Sequence, residues 1–202
     1  MRLLSNATAV TADLPPARAR QPRMVFAGRL IGWKAPLLAL RALRYVRHPQ
    51  ATLHFYGQGY EQRRLERHAR RWGIAARVIF HGWVPRNVLL DDLAGSAVLL
   101  HPALHEEAGL CIAEALAMGV PAVCLAHGGP VQVTGHWPQT PSQLVEPGDA
   151  DRTARAIAAA ADRFLTADPA PRDGPREPNV SFAQQLLAAY AHVGSGRDTA
   201  MR

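Results

Sequence analysis

Met24-Val25-Phe26-Ala27-Gly28-Arg29-Leu30-Ile31-Gly32-Trp33-Lys34 runs from a short apolar stretch, through a glycine turn, to the edge of a helical pattern. Ala35 to Val46 carries that pattern, with Leu38, Ala39, Ala42, Leu43 and Val46 at the spacing of one helix face. Strand, turn and helix in this order is how α/β folds present an anion to a helix N-terminus. The stretch also holds the only lysine among the chain's 23 basic residues. Arginine supplies positive charge everywhere else, so a compact, strongly hydrated ammonium is wanted at Lys34. Arg29 and Lys34 together read as a clamp for a diphosphate.

Outward from this unit the chain alternates. Apolar runs at Thr52 to Tyr56, Val78 to Phe80, Ala97 to Leu100, Ala122 to Leu125 and Leu144 to Val145 each border a segment with helical spacing. Regular alternation of this kind predicts a parallel sheet with helices on both faces. The span 24–165 is the expected Rossmann-like domain, ending in an alanine-dense helix from Asp149, its cap, to Leu165. Residues 1–23, with Pro15, Pro16 and Pro22, read as a linker or arm. Residues 166–180 read as a proline-rich connector, 181–193 as a last helix capped by Ser181, and 194–202 as a disordered tail.

Composition narrows the function classes. The 202 residues are 48% hydrophobic, enough for one good core, and contain neither a run of 18 apolar residues nor an apolar signal core. That is the pattern of a cytoplasmic protein. The two cysteines, Cys111 and Cys124, fit neither a metal nor a disulfide spacing and read as reduced thiols. The net charge of +7 admits nucleic acid, an acidic membrane surface or a phosphorylated ligand. Much of it lies at Arg63, Arg64, Arg67, Arg70 and Arg71, with Glu61 and Glu66 interleaved and Leu65 and Trp72 free to face a core. This is a solvated helix face, and no aromatic platform supports a nucleic-acid partner.

The second informative stretch is Pro102-Ala103-Leu104-His105-Glu106-Glu107-Ala108-Gly109-Leu110-Cys111-Ile112-Ala113-Glu114. If a helix begins near Gly109, Glu106 lies in the loop before it and Glu114 projects one turn inside. Both then flank a helix N-terminus, whose free N–H groups and positive dipole end favour a phosphate. A carboxylate there needs a neutral polar partner, and sugar hydroxyls supply one. Glu114 suits a ribose diol, the task of an acidic residue in dinucleotide sites; Glu106 suits a second sugar beyond the diphosphate. His101 and His105 superficially suggest a zinc pair, but Pro102 between them prevents a shared helix face. Gly57-Gln58-Gly59 is a tight turn beside the pocket rather than a dinucleotide fingerprint.

These residues resemble the nucleotide-binding half of retaining glycosyltransferase family 4, whose members have the GT-B architecture of two facing Rossmann-like domains. The resemblance rests on G-R-L-x3-K at Gly28 to Lys34, E-x7-E at Glu106 to Glu114, Gly119-Val120-Pro121, Gly128-Gly129-Pro130 and Pro147-Gly148-Asp149, and spans roughly residues 24–193. It implies that Arg29 and Lys34 bind the donor diphosphate, that Glu106 touches the donor hexose and that Glu114 holds the ribose. Arg29, Lys34 and Glu106 are thus the expected catalytic residues. Gly28, the Gly82-Trp83 turn and Ala108-Gly109-Leu110 complete the expected donor site, with no metal or other cofactor. The resemblance also implies an acceptor-binding N-terminal domain, which nothing before Met24 encodes, so this chain alone is expected to be inactive. A separate chain could supply that half, and a basic surface suits that partner or the inner face of a membrane. The alternative is a regulatory sugar-nucleotide-binding module without chemistry. One departure stands out: many relatives have Gly-Phe where this chain has Glu107-Ala108, so Glu107 either turns to solvent or narrows donor choice.

Overall fold

The computed structural model describes residues 14–15 and 18–167; the expected last helix and tail, and the connector beyond Ala167, lie outside the described residues. Six strands, β1 (Gln21–Ala27), β2 (Thr52–Tyr56), β3 (Val78–Gly82), β4 (Ser96–His101), β5 (Ala122–Leu125) and β6 (Ser142–Val145), form one sheet. Every pairing is parallel, and the order is β3-β2-β1-β4-β5-β6. The helices are α1 (Pro36–Leu43), α2 (Gln62–Arg71), α3 (Arg86–Ala94), α4 (Leu110–Ala117), α5 (Gly129–Gly135) and α6 (Ala150–Thr166). This is the doubly wound Rossmann-like order. Its direction of winding reverses between β1 and β4, which opens a crevice at their carboxyl ends.

Alternation along β1 divides the core. Met24 and Phe26 point to the face covered by Leu40 and Leu43 of α1, Leu65 of α2 and Ile157 and Ala161 of α6. Val25 and Ala27 point to the other face, against Leu90 and Leu93 of α3, Ile112 and Leu116 of α4 and Val133 of α5. The stretch of a strand covered on both sides is apolar on both faces, which is why residues 24–27 of β1, 97–100 of β4 and all of β5 read as continuous apolar runs. Each large side chain so buried contributes about 1.5–3 kcal/mol. The arginine-rich helix α2 buries Leu65 and Ala69 and exposes its charges, as its sequence predicts.

Several boundaries differ from expectation: β3 runs on to Gly82, β4 takes in Ser96 and His101, β6 begins at Ser142, and the largest changes are at β1 and α1. Strand β1 begins at Gln21, so the last three residues assigned to the arm belong to the sheet. Proline cannot donate to a central ladder; the β1–β4 register shifts between Gln21 and Met24, which passes over Pro22, and Gln21 N–H bonds the Gly95 carbonyl at 2.9 Å. The helix expected over Ala35 to Val46 is shorter. A 3₁₀ turn at Gly32–Lys34 leads into Ala35, which is left-handed (φ 49°) and precedes Pro36 at the start of α1. At the other end the Arg44 and Tyr45 N–H groups bond back only three residues, to Arg41 and Ala42 at 3.2 and 2.8 Å, closing the helix. Val46 is nevertheless buried, so its apolar spacing reports the core rather than the helix. In α6 the Asp149 carboxylate accepts from the Asp151 and Arg152 N–H groups at 3.0 and 2.9 Å, the expected cap. Among the described residues no helix is long and apolar enough to cross a membrane.

Candidate active site

Helix α4 starts where the glycine predicts it. Gly109, left-handed at φ 55°, caps α4, leaving Glu106 in the loop after β4 and Glu114 one turn inside the helix. A cleft of about 700 Å³ opens between this loop and the turn after β1. Gly28, Arg29, Lys34, Trp83, Glu106, Ala108, Leu110 and Glu114 all line it. Gly82 and Gly109 shape its rim through the backbone: the Gly82 carbonyl accepts from Gly57 N–H at 2.7 Å, and Gly109 N–H donates to Glu106 Oε1 at 3.1 Å. The cleft sits at the point where the strand order reverses, where open α/β sheets bind ligands.

Glu106 is the hub. Lys34 Nζ donates to its Oε2 at 2.6 Å and His101 Nε2 to the same oxygen at 2.9 Å. His101 foremost, then Lys34 and the Gly109 N–H, hold this carboxyl well below the usual carboxylate range, although burial acts in the opposite sense. A carboxylate has about four acceptor positions; these three donors leave one open on Oε1. Burial pushes the His101 imidazole down, but the Cys111 sulfur and the Glu106 carboxylate outweigh it and raise the ring to about 9. Lys34 and Glu106, assigned in the sequence to different parts of a ligand, are therefore paired before any ligand arrives. Glu106 takes one of the three N–H groups of Lys34.

Glu114 is 9% exposed and accepts from Arg86 Nε at 2.8 Å through Oε1. Arg86, the first residue of α3, is a site residue that sequence reasoning missed. A helix start after Val84-Pro85 is legible, but no spacing links it to Glu114. Tyr56, also missed, lines the cleft; its hydroxyl donates to Asp92 Oδ2 at 2.8 Å, while Arg23 Nη1 holds Asp92 Oδ1 at 3.0 Å. Burial first, then Asp92, pushes this phenol up, so it stays a donor.

Glycines let the loops of the site touch. A Cβ on Gly57 would lie 2.1 Å from the Gly28 carbonyl oxygen, and one on Gly59 would lie 2.2 Å from that of Leu30. The pair Gly128-Gly129 supports the other wall: Gly129 N–H donates to the Glu106 carbonyl at 2.9 Å, and a Cβ there would meet the Glu107 carbonyl oxygen at 2.3 Å. Glu107 itself turns to solvent, its side chain 85% exposed near His105 Nε2 at 3.5 Å. His101 is buried beneath Glu106 while His105 is exposed, so the two rings share no face.

A doubly wound sheet with a lysine, two carboxylates and a helix N-terminus gathered at its reversal point defines a Rossmann-like ligand-binding domain. The chain belongs to the family described as glycosyl transferases group 1, whose model matches residues 15–164. It is 29% identical over 153 residues to the 2-deoxystreptamine glucosyltransferase of Streptomyces kanamyceticus, covering 74% of this chain and 38% of that protein. To the D-inositol 3-phosphate glycosyltransferase of Xylanimonas cellulosilytica it is 34% identical over 133 residues, covering 62% of this chain and 31% of that protein. Among solved structures, the pneumococcal O-GlcNAc transferase GtfA in complex with UDP and GlcNAc superposes with a TM-score of 0.63 at 18% identity, over 87% of this chain and 34% of that chain. Anabaena HepE in complex with UDP and glucose gives 0.59 at 22%, over 86% and 49%. At these identities the superpositions speak to the fold. The match takes in less than two-fifths of either curated relative.

Proposed function

We propose that this chain is the donor-binding half of a retaining hexosyltransferase that draws its sugar from a nucleoside diphosphate sugar. The observation that carries the reading is the convergence of Arg29, Lys34, Glu106 and Glu114 with the first turn of α4 on one cleft. When the bond between sugar and diphosphate breaks, negative charge grows on the departing phosphate. The Arg29 guanidinium, the free N–H groups of Lys34 and the N-terminus of α4 oppose that charge in place, without a metal ion. Glu106, held by three donors, presents its remaining lone pair to a hexose hydroxyl. Glu114 Oε2 accepts from the ribose, and Trp83, at the mouth of the cleft and 72% exposed, lies beside the base.

Since the matched relatives are far longer than this chain, we place the acceptor site in a second domain, on the same chain or another. Closing the two halves would exclude water and orient the acceptor, so the described half alone should transfer little sugar. We place the product in surface polysaccharide or glycolipid assembly on the cytoplasmic side of a membrane, a role that the basic surface suits.

The reading is tested by thermal shift against UDP, GDP, ADP and their hexose conjugates, with and without EDTA. A ligand at roughly 100 times its dissociation constant adds about 2.7 kcal/mol. A shift selective for one base and indifferent to EDTA is the expected result; no shift with any nucleotide refutes the donor site.

A further inference from the structure

The sugar-nucleotide reading gives no work to Cys111, the second residue of α4, whose half-buried side chain lines the cleft. Its Sγ lies 3.3 Å from His101 Nδ1, and the opposite ring nitrogen, Nε2, lies 2.9 Å from Glu106 Oε2. Thiol, imidazole and carboxylate thus stand in series, with the base oriented by a third group. That is the arrangement by which side chains activate a nucleophile. The His101 side chain is only 4% exposed, so water does not compete for the ring, whereas the sulfur reaches the cleft. The first turn of α4 adds a positive dipole end that favours charge developing on sulfur.

The other ionisable groups around this sulfur do not displace the relay. Lys34 acts through Glu106, and Glu114, a turn further along α4, is engaged by Arg86. Cys124 on β5 is the internal contrast. It is 1% exposed, and burial foremost pushes its thiol up.

We propose that Cys111 is a modification site: a nucleophilic thiol, activated by His101 and Glu106, that captures small soft electrophiles and, once capped, obstructs the cleft. With iodoacetamide as the probe, sulfur bonds to the methylene carbon and iodide departs with the carbon–iodine electron pair. The thiol proton, held by His101 Nδ1, passes to solvent. The obstruction rests on the donor-site reading above, because the cap would fill space between His101 and the start of α4 where the diphosphate is placed; the reactivity does not.

The experiment is carbamidomethylation of the folded chain at pH 6.5, followed at each cysteine by peptide mass spectrometry, with glutathione as the reference thiol. An ordinary thiol with a pKa near 8.5 is about 1% ionised there, so activation can gain up to roughly 100-fold, less the lower intrinsic nucleophilicity of a more acidic thiol. Cys111 should react about tenfold faster than glutathione while Cys124 stays unlabelled, and His101→Gln should lose most of that gain. A rate no greater than that of glutathione overturns the proposal, as does labelling of Cys124 in step with Cys111. Should His101→Gln not fold, the wild-type pH profile decides. A relay keeps its rate as pH falls from 8 to 6, whereas an unassisted thiol slows about tenfold per unit. Saturating UDP, GDP or ADP, whichever binds, should protect Cys111. Relay kinetics without protection by any of the three refute the obstruction and the donor-site reading together, and leave the activated thiol standing.

Discussion

Raising the pH from 6.5 to 9.5 should remove a contribution to folding that comes from one buried imidazole. Burial alone disfavours a charged His101, yet the Cys111 sulfur and Glu106 carboxylate raise the ring from 6.5 to about 9. A group raised in the folded state stabilises fully below its unfolded value, where even the unfolded chain is protonated, and ceases to stabilise once the pH passes its folded value. At about 1.4 kcal/mol per pH unit, the shift corresponds to about 3 kcal/mol for a ring that takes its proton from solvent. If the Cys111 proton rests on His101, as proposed, folded and unfolded chains bind the same number of protons between about pH 6.5 and 8.5, and only about 0.7 kcal/mol is lost, above pH 8.5. For a chain of this size that is about 1–3 °C in Tm. Urea unfolding of the wild type and of His101→Gln at pH 6.5, 8.5 and 9.5 reads the difference. The wild type should lose less than about 1 kcal/mol more than the variant, all of it above pH 8.5. An excess loss of about 3 kcal/mol that begins at pH 6.5 would refute the transfer of the thiol proton to the ring.

Lys34→Ala should weaken a nucleoside diphosphate and its sugar conjugate alike, by roughly 10–100-fold for loss of a hydrogen-bonded charge, as read by calorimetry. Glu106→Gln should weaken the sugar conjugate by more than the free diphosphate; equal losses for both ligands in both variants would sink this division of roles. Gly59→Ala should destabilise by about 1–3 kcal/mol in urea unfolding, because its Cβ would strike the Leu30 carbonyl. Gly135→Ala, with nothing within 4 Å of the added carbon, should be neutral or stabilise by up to about 1 kcal/mol. Asp149→Ala, which strips α6 of its cap, should cost about 1 kcal/mol.

Much of the sheet was legible because both its faces are covered, so the buried stretches of its strands are apolar on both faces; β2 and β5 begin and end where their runs do, while β3, β4 and β6 reach one or two residues beyond theirs. The start of α4 was legible because Gly109 is the residue that takes a left-handed cap cheaply. Pro22 concealed the start of β1, since a register shift belongs to a pair of strands and leaves no mark on one. The site divides in the same way. Lys34, Glu106 and Glu114 stand near glycines that set the backbone, and their positions could be read locally. Arg86 on Glu114 and His101 between Cys111 and Glu106 are meetings of different elements. The packing of α3 beside α4 makes the first and the path of the loop between β4 and α4 makes the second, and no residue pattern along the chain encodes either.

The backbone contacts at Gly57 and Gly59 bear on how such a site can change over generations. With no room for even a methyl group between these glycines and the carbonyls of Gly28 and Leu30, the two turns after β1 and β2 are joined like parts of one hinge plate. A substitution in either turn is transmitted to the other, so diversification along this edge requires paired changes. The backbone of the loop from Leu104 to Ala108 is held in the same way by Gly129, but its Leu104 and Glu107 side chains point outward and have latitude. On the donor-site reading, change in sugar preference should therefore accumulate in those outward side chains, while the backbone of both walls stays as it is.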